Sequence, residues 1–234
     1  MIIEICANGI ESARIAQDAG ADRIELCLDL SVGGLTPSQD LIEKVVKEIT
    51  IPVHVLIRPR SGDFCYSEGE LDTMIQDIVY CKQLGCAGVV SGVLSRENNV
   101  DVSATKQLIN ASEGMQFTFH RAFDACQNPM QNFSKLLELQ VTRLLSSGQR
   151  IKAIDGLPFL KELQSVSNGK IEIQPGGGIN SDNTLLFKEA GFEMIHFSAT
   201  KKEPAVIESD ELFKSNVVSH SNSEEIKKVI QLLA

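Results

Sequence analysis

Eight short runs of apolar, mostly β-branched residues recur along the chain, each ending in polar or glycine residues and each followed by a helix-like stretch. They lie at 2–6 (IIEIC), 22–27 (DRIELC), 53–58 (VHVLIR), 87–91 (AGVVS), 116–120 (QFTFH), 142–146 (TRLLS), 170–174 (KIEIQ) and 193–197 (EMIHF). A repeat of about 20 to 35 residues leaves room for one helix per crossover, so each run reads as the strand of a βα unit. Between them, Leu71, Met74, Ile75 and Ile78, then Phe133, Leu136 and Leu137, then Ile226, Val229, Ile230 and Leu233 fall at helical spacing. Gly20, Gly85 and Gly191 each close a helical segment just ahead of a strand, where the left-handed position favours glycine. Eight such units predict an α/β fold, a (β/α)8 barrel. At 234 residues the chain is expected to be one domain spanning 1–234, with no linker composition to divide it.

The fold has a functional direction, because barrels of this kind carry their chemistry at the carboxyl ends of the strands. Loop lengths agree with that polarity. Connections into strands are mostly short, whereas LDLSVGGLTPS after the second run and RPRSGDFCYSEGE after the third are long and rich in Gly, Pro and polar residues. The longest loop, 198–221, precedes a final helix whose Ser221 and Glu224 have capping-box spacing. Within it Phe213, Val217 and Val218 could serve as an interface or a lid.

With 22 Lys+Arg against 31 Asp+Glu, the net charge of -9 argues against nucleic acid or an anionic membrane as partner, and a small partner is expected. No organic cofactor is expected. Six cysteines without CxxC pairing predict reduced thiols in a cytoplasmic protein, not disulfides. No segment approaches the roughly 18 apolar residues of a membrane span, and MIIEICANG lacks a signal-peptide pattern.

Three constellations carry candidate chemistry. Glu4 and Cys6 share strand parity, as do Glu25 and Cys27, so the two thiols can meet at the top of adjacent strands and hold a soft ion such as Cu(I), or pack as small hydrophobes. Parity leaves open whether the carboxylates or the intervening Ile3, Ile5, Ile24 and Leu26 face the barrel axis. A buried acid needs a partner, and Arg58 or Arg60 in HVLIRPRSGDF is the expected one, or else an anion clamp. TFHRAFD places His120, Arg121 and Asp124 at the end of the fifth run, with His120 a candidate base or metal ligand beside Asp124. Glu25 is the alternative proton-transfer group. His54 and His196 rank lower, and His54 lies near its strand's start, where stability is the usual role. Finally SSGQ with Gln149, PGGGI with Gly176, Gly177 and Gly178, and Ser198 after the last strand could cradle a phosphate. No HExxH, dinucleotide fingerprint, Walker loop or nucleophile elbow is present.

Several strings, GADRIELC with GGLTPS, IPVHVLIRPRSGDF, TFHRAFD, SSGQ and PGGGI, resemble the CutC family in the same order and over nearly the whole chain. The resemblance implies a cytoplasmic, oligomeric (β/α)8 barrel with a role in copper homeostasis, and Cu(I) ligands at positions matching Cys6 and Cys27. The polar rim exceeds what a two-cysteine site requires, so an enzyme acting on a small anionic or phosphorylated metabolite stands as the alternative.

Overall fold

The computed structural model describes residues 1–204 and 217–234. Eight parallel strands, β1 (Ile2–Ala7), β2 (Arg23–Leu26), β3 (Val53–Leu56), β4 (Gly88–Ser91), β5 (Gln116–Phe119), β6 (Arg143–Ser146), β7 (Glu172–Pro175) and β8 (Met194–Phe197), form one sheet in the order β7-β6-β5-β4-β3-β2-β1-β8. A parallel bridge between Gly176 and His196 brings the two ends together. The (β/α)8 barrel expected from the eight runs is the fold observed, and each strand falls inside or within a residue or so of its run.

Helices pack the outside of the sheet with the stripes that their spacing foretold. In α3 (Glu68–Leu84) Met74 and Ile78 are buried, in α5 (Pro129–Leu139) Phe133 and Leu136, and in α8 (Ser223–Leu233) Ile226, Val229 and Leu233. The start of α3 is held by a capping box in which Ser67 and Glu70 satisfy each other's backbone N–H groups. Gly85 ends that helix in the left-handed conformation, as Gly20 ends α1 (Ile10–Ala19).

The barrel has two cores of opposite character. Ile3, Ile5, Ile24, Leu26, Val53 and Val55 are all buried and join the apolar layer under the helices. The alternate residues reach across the interior: Gln174 of β7 donates to Glu4 of β1 at 2.8 Å, and Arg143 of β6 meets the sulfur of Met194 on β8 at 3.2 Å. Such contacts between non-neighbouring strands are possible only through the barrel axis, so the carboxylates face inward. Their partner differs from the one expected. Arg23, two residues before Glu25, binds Glu4 at 2.5 Å, while Arg58 and Arg60 are engaged elsewhere. The two loop arginines lie beyond the end of β3, whereas Arg23 is the register partner of Glu4.

Two further expectations are corrected near the carboxyl end. The 198–221 stretch is not structureless: β9 (Thr200–Pro204) and β10 (Val217–Ser221) pair antiparallel. Phe213 lies outside the described residues. Ser221 does not cap the last helix, because its backbone is spent in β10 and its N–H goes to Ser12 Oγ. Asn222 caps instead, its side chain accepting from the N–H groups of Glu224 and Glu225. All six cysteines are free thiols. Among the described residues no helix is long and apolar enough to cross a membrane.

Candidate functional site

A cavity of about 240 Å³ opens at the carboxyl ends of the strands. One part of its lining comes from β1, β2 and β8 and presents Cys6, Glu25 and His196; another, from the segments after β3 and β5, presents Arg58, His120 and Arg121. Gly177, Gly178 and Ser198, from the segments after β7 and β8, complete it. Strand register sets the first part, since Cys6 lies beside Glu25 and Glu4 beside both Arg23 and His196.

Beneath this wall lies a chain of buried charges. Glu4 accepts from Arg23 and Gln174, lies 2.8 Å from His196 Nδ1 and has His54 Nδ1 at 3.6 Å. Burial alone would raise its carboxyl, but the His196 hydrogen bond and the Arg23 charge prevail and hold it well below the usual range. His196 is pushed the other way. Burial opposes its charge, yet Glu25, Cys6 and Glu4 together raise it well above an ordinary histidine, so Glu4 and His196 form an ion pair. His54, desolvated and beside Arg23 and Arg143, falls to about 4 and stays neutral.

Glu25 is the carboxylate left over. Its Oε2 is buried with no hydrogen-bond partner, 4.0 Å from His196 Nδ1, and Oε1 lies 3.8 Å from Cys6 Sγ. Burial is the largest influence and Glu4 adds repulsion, so Glu25 rises to about 7. A group poised there can hold or release a proton on the cavity wall at neutral pH. Carboxyl-selective ¹³C NMR should therefore show Glu25 titrating near pH 7, while Glu4 stays ionised below its ordinary 4.5. A Glu25 midpoint near 4.5 would contradict this electrostatic picture.

The two thiols meet as parity allowed. Cys6 Sγ and Cys27 Sγ are 3.5 Å apart and buried, with Leu56 and Val90 packed against them. Cys6 is held protonated by its hydrogen bond with Cys27 and by burial, both of which raise its thiol well above the usual value. The donor atoms of Cys6, Glu25 and His196 lie within 4.8 Å of one another, a set able to hold a metal ion.

Of the other residues singled out from the sequence, several are near the cavity but committed to other work. Arg60 does not line it; its guanidinium binds Glu70 of the α3 capping box at 2.5 Å and Asp63 at 3.0 Å. Asp124 organises a turn: it accepts from Ser146 Oγ at 2.6 Å, Ser147 Oγ at 2.8 Å, Gln149 N–H at 3.1 Å and Arg121 Nε at 2.8 Å. Gln149 reaches back to the Cys126 carbonyl at 2.8 Å. Gly176 N–H is used by the Ser146 carbonyl, and a Cβ there would press to 2.5 Å from a Leu145 methyl, so this glycine answers to packing. Gly177 and Gly178, with φ of 113° and 70°, turn bare backbone to the cavity. Because Asp124 gathers so many charge-assisted bonds, Asp124→Ala should cost about 2–4 kcal/mol of stability by urea denaturation. A cost under 0.5 kcal/mol would refute its structural role.

Sequence reasoning ranked His196 too low and did not see Arg23, Gln174 or Arg143 as interior residues. The alternating register was the available signal: Arg23 shares parity with Glu25, and His196 with Met194.

The fold and site define a (β/α)8 barrel with a small cavity at the strand carboxyl ends, lined by apolar side chains together with Cys6, Glu25, His196, Arg58, His120 and Arg121. The chain belongs to the CutC family, whose pattern matches residues 1–201. It is 44% identical to the CutC family protein of Pasteurella multocida (strain Pm70) over 98% of this chain and 93% of that one. With the CutC family protein of Enterobacter sp. (strain 638) it shares 47% identity over 87% of this chain and 82% of that one. A solved CutC structure from Streptococcus agalactiae, described in terms of copper homeostasis, superposes with a TM-score of 0.80 at 33% identity, covering 85% of this chain and 98% of that chain.

Proposed function

We propose that this protein acts in copper homeostasis by binding Cu(I) at the cavity floor, with Cys6 and Cys27 as ligands. The observation that carries the reading is the 3.5 Å approach of the two buried sulfurs beside His196. The donors suit a soft ion: two thiolates with an imidazole at hand. At a metal–sulfur distance of roughly 2.3 Å, linear two-coordination would separate the sulfurs by about 4.6 Å. The observed spacing is shorter, so either the pair opens on loading or a third ligand bends it, with Glu25 and His196 the candidates beside Cys6. CutC family membership supports the same reading, and free thiols suit a reducing cytoplasm. Since Cys6 is held protonated, loading must expel protons. An anaerobic competition titration of the reduced protein against a chelator of known affinity is expected to give one tight equivalent of Cu(I), with proton release that shrinks as pH rises. Binding no tighter than to an unfolded thiol peptide would reject the proposal.

A second reading is favoured by Glu25, which sits on the cavity wall with a proton affinity matched to neutral pH. In it the protein is an enzyme that moves a proton on a small anionic metabolite. Incubation with a panel of phosphorylated sugars and hydroxy acids in D₂O, followed by mass spectrometry, should reveal deuterium incorporation that Glu25→Gln abolishes. Incorporation unchanged in the variant would remove Glu25 from that role.

A further inference from the structure

Arg58 is a buried cation without a counter-ion. It is only 5% exposed, and its donors are spent on neutral carbonyls, those of Val32 at 2.7 Å, Gly34 at 2.9 Å and Gly62 at 3.0 Å. The guanidinium lies 5.0 Å from the centre of the Phe64 ring, and Nε, also buried, has no partner. Among the described residues no carboxylate stands within ion-pair distance of it. Neighbouring Tyr66 does not supply the missing charge, because burial pushes its phenol up to about 12. Buried charges are ordinarily paired, so this one is waiting for something.

His120 is a second orphaned donor on the same cavity wall. It too is 5% exposed, and its ring meets Phe64 edge-on at 5.0 Å. Nδ1 accepts the Ala122 N–H at 3.2 Å, so the proton of the neutral ring sits on Nε2, which is buried and unpartnered. Burial and the Arg58 charge drive the histidine down to about 3, which keeps it neutral and fixes it as a donor. On the solvent side Arg121, whose side chain is half exposed, packs close to the bare backbone of Gly177: a Cβ there would come within 3.3 Å of the guanidinium.

We propose that the cavity binds a small oxyanion, the carboxylate or phosphate group of a metabolite, between Arg58 Nε and His120 Nε2–H, with Arg121 closing the solvent side. His120 is then a hydrogen-bond donor to the ligand, neither a base nor a metal ligand. Arg60 and Gln149 take no part. A volume of about 240 Å³ is below the roughly 300–1,000 Å³ of drug-sized pockets, which restricts the occupant to a small molecule. Cys6, Glu25 and His196 line the same cavity, so a ligand held by its anionic end at this donor pair shares the cavity with the thiol and the free carboxylate. The subsite stands independently of copper, and it supplies the substrate class for the proton-transfer reading.

The test is a titration of the metal-free, full-length protein with inorganic phosphate and, separately, with oxalate, at ionic strength fixed by chloride. The ¹⁵N imidazole resonances of His120 and the thermal midpoint are followed. The expected result is a saturable shift of the His120 Nε2 signal and a rise in midpoint in at least one arm, and the responding arm assigns phosphate or carboxylate. Calorimetry should show affinity reduced about tenfold in His120→Phe, as befits one lost hydrogen bond, and at least as much in Arg58→Lys, which keeps the charge but lacks Nε. Should one variant fail to fold, the other decides. Absence of a saturable response to both anions, or undiminished affinity in the folded variants, overturns the subsite. Neither result depends on turnover, so the deuterium experiment judges the proton-transfer reading separately.

Discussion

Replacing Cys6 by serine should lower Cu(I) affinity by on the order of a thousandfold, about 4 kcal/mol, because a soft ion loses half of its sulfur donors to a hard hydroxyl. Cys27→Ser should match it, since the two sulfurs lie 3.5 Å apart and neither binds tightly alone. The proper control is the other close thiol pair. Cys81 and Cys86 also hydrogen-bond to each other, at the opposite end of a helix and strand from the cavity, so Cys81→Ser distinguishes the proposed floor site from any proximal pair of thiols. Competition titration of all three variants checks the assignment: wild-type affinity in Cys6→Ser, or a loss confined to Cys81→Ser, would place the copper elsewhere. His196→Gln should have a smaller effect on affinity, because its imidazole is already committed to Glu4 through Nδ1 at 2.8 Å.

The largest effect on stability is expected at Glu4. Glu4→Gln should destabilise the protein by about 3–5 kcal/mol at pH 7, since it leaves the buried Arg23 and the His196 imidazolium without their shared counter-charge. The pH dependence follows from the direction of the shift. Glu4 is lowered in the folded protein, so the stability it confers is fully present above its ordinary 4.5 and is lost as pH falls through the lower folded value. The penalty of the substitution should therefore shrink in acid. His196 has the opposite sign: raised on folding, it contributes below its ordinary 6.5 and that contribution fades as pH rises through its higher folded value. Urea denaturation at pH 7 and pH 4 measures both trends. Exposed Glu11, ion-paired with Arg14, is the reference, and Glu11→Gln should change stability by no more than about 0.5 kcal/mol. A Glu4→Gln penalty as small as that would mean the interior charges are not coupled as the distances indicate.

Much of this protein was readable along the chain. Period-two alternation with helical stretches between made eight βα units unavoidable, and the length suited one barrel of them. Shared parity put Cys6 with Glu4 and Cys27 with Glu25, which is why the meeting of the thiols needed no tertiary information beyond strand adjacency. The long loops after the second and third strands likewise pointed to the end where the cavity opens.

Alternation states that Glu4 and Cys6 share a face, but in a barrel both faces of every strand are covered, so it does not say which face is the inside. Only the closed structure decides that, by bringing Gln174 of β7 to Glu4 of β1 across 170 residues. Register chose Arg23 over Arg58 as the partner of Glu4, because a residue directly beside it on the neighbouring strand wins over one beyond the end of β3. Closure made Asp124 the keystone of a turn, raised His196 from a minor candidate to the centre of the charge network, and left Arg58 and His120 with donors that no residue described here satisfies. Local sequence carries periodicity and turn chemistry, whereas the pairing of buried charges is set by distances across the barrel that no local pattern encodes.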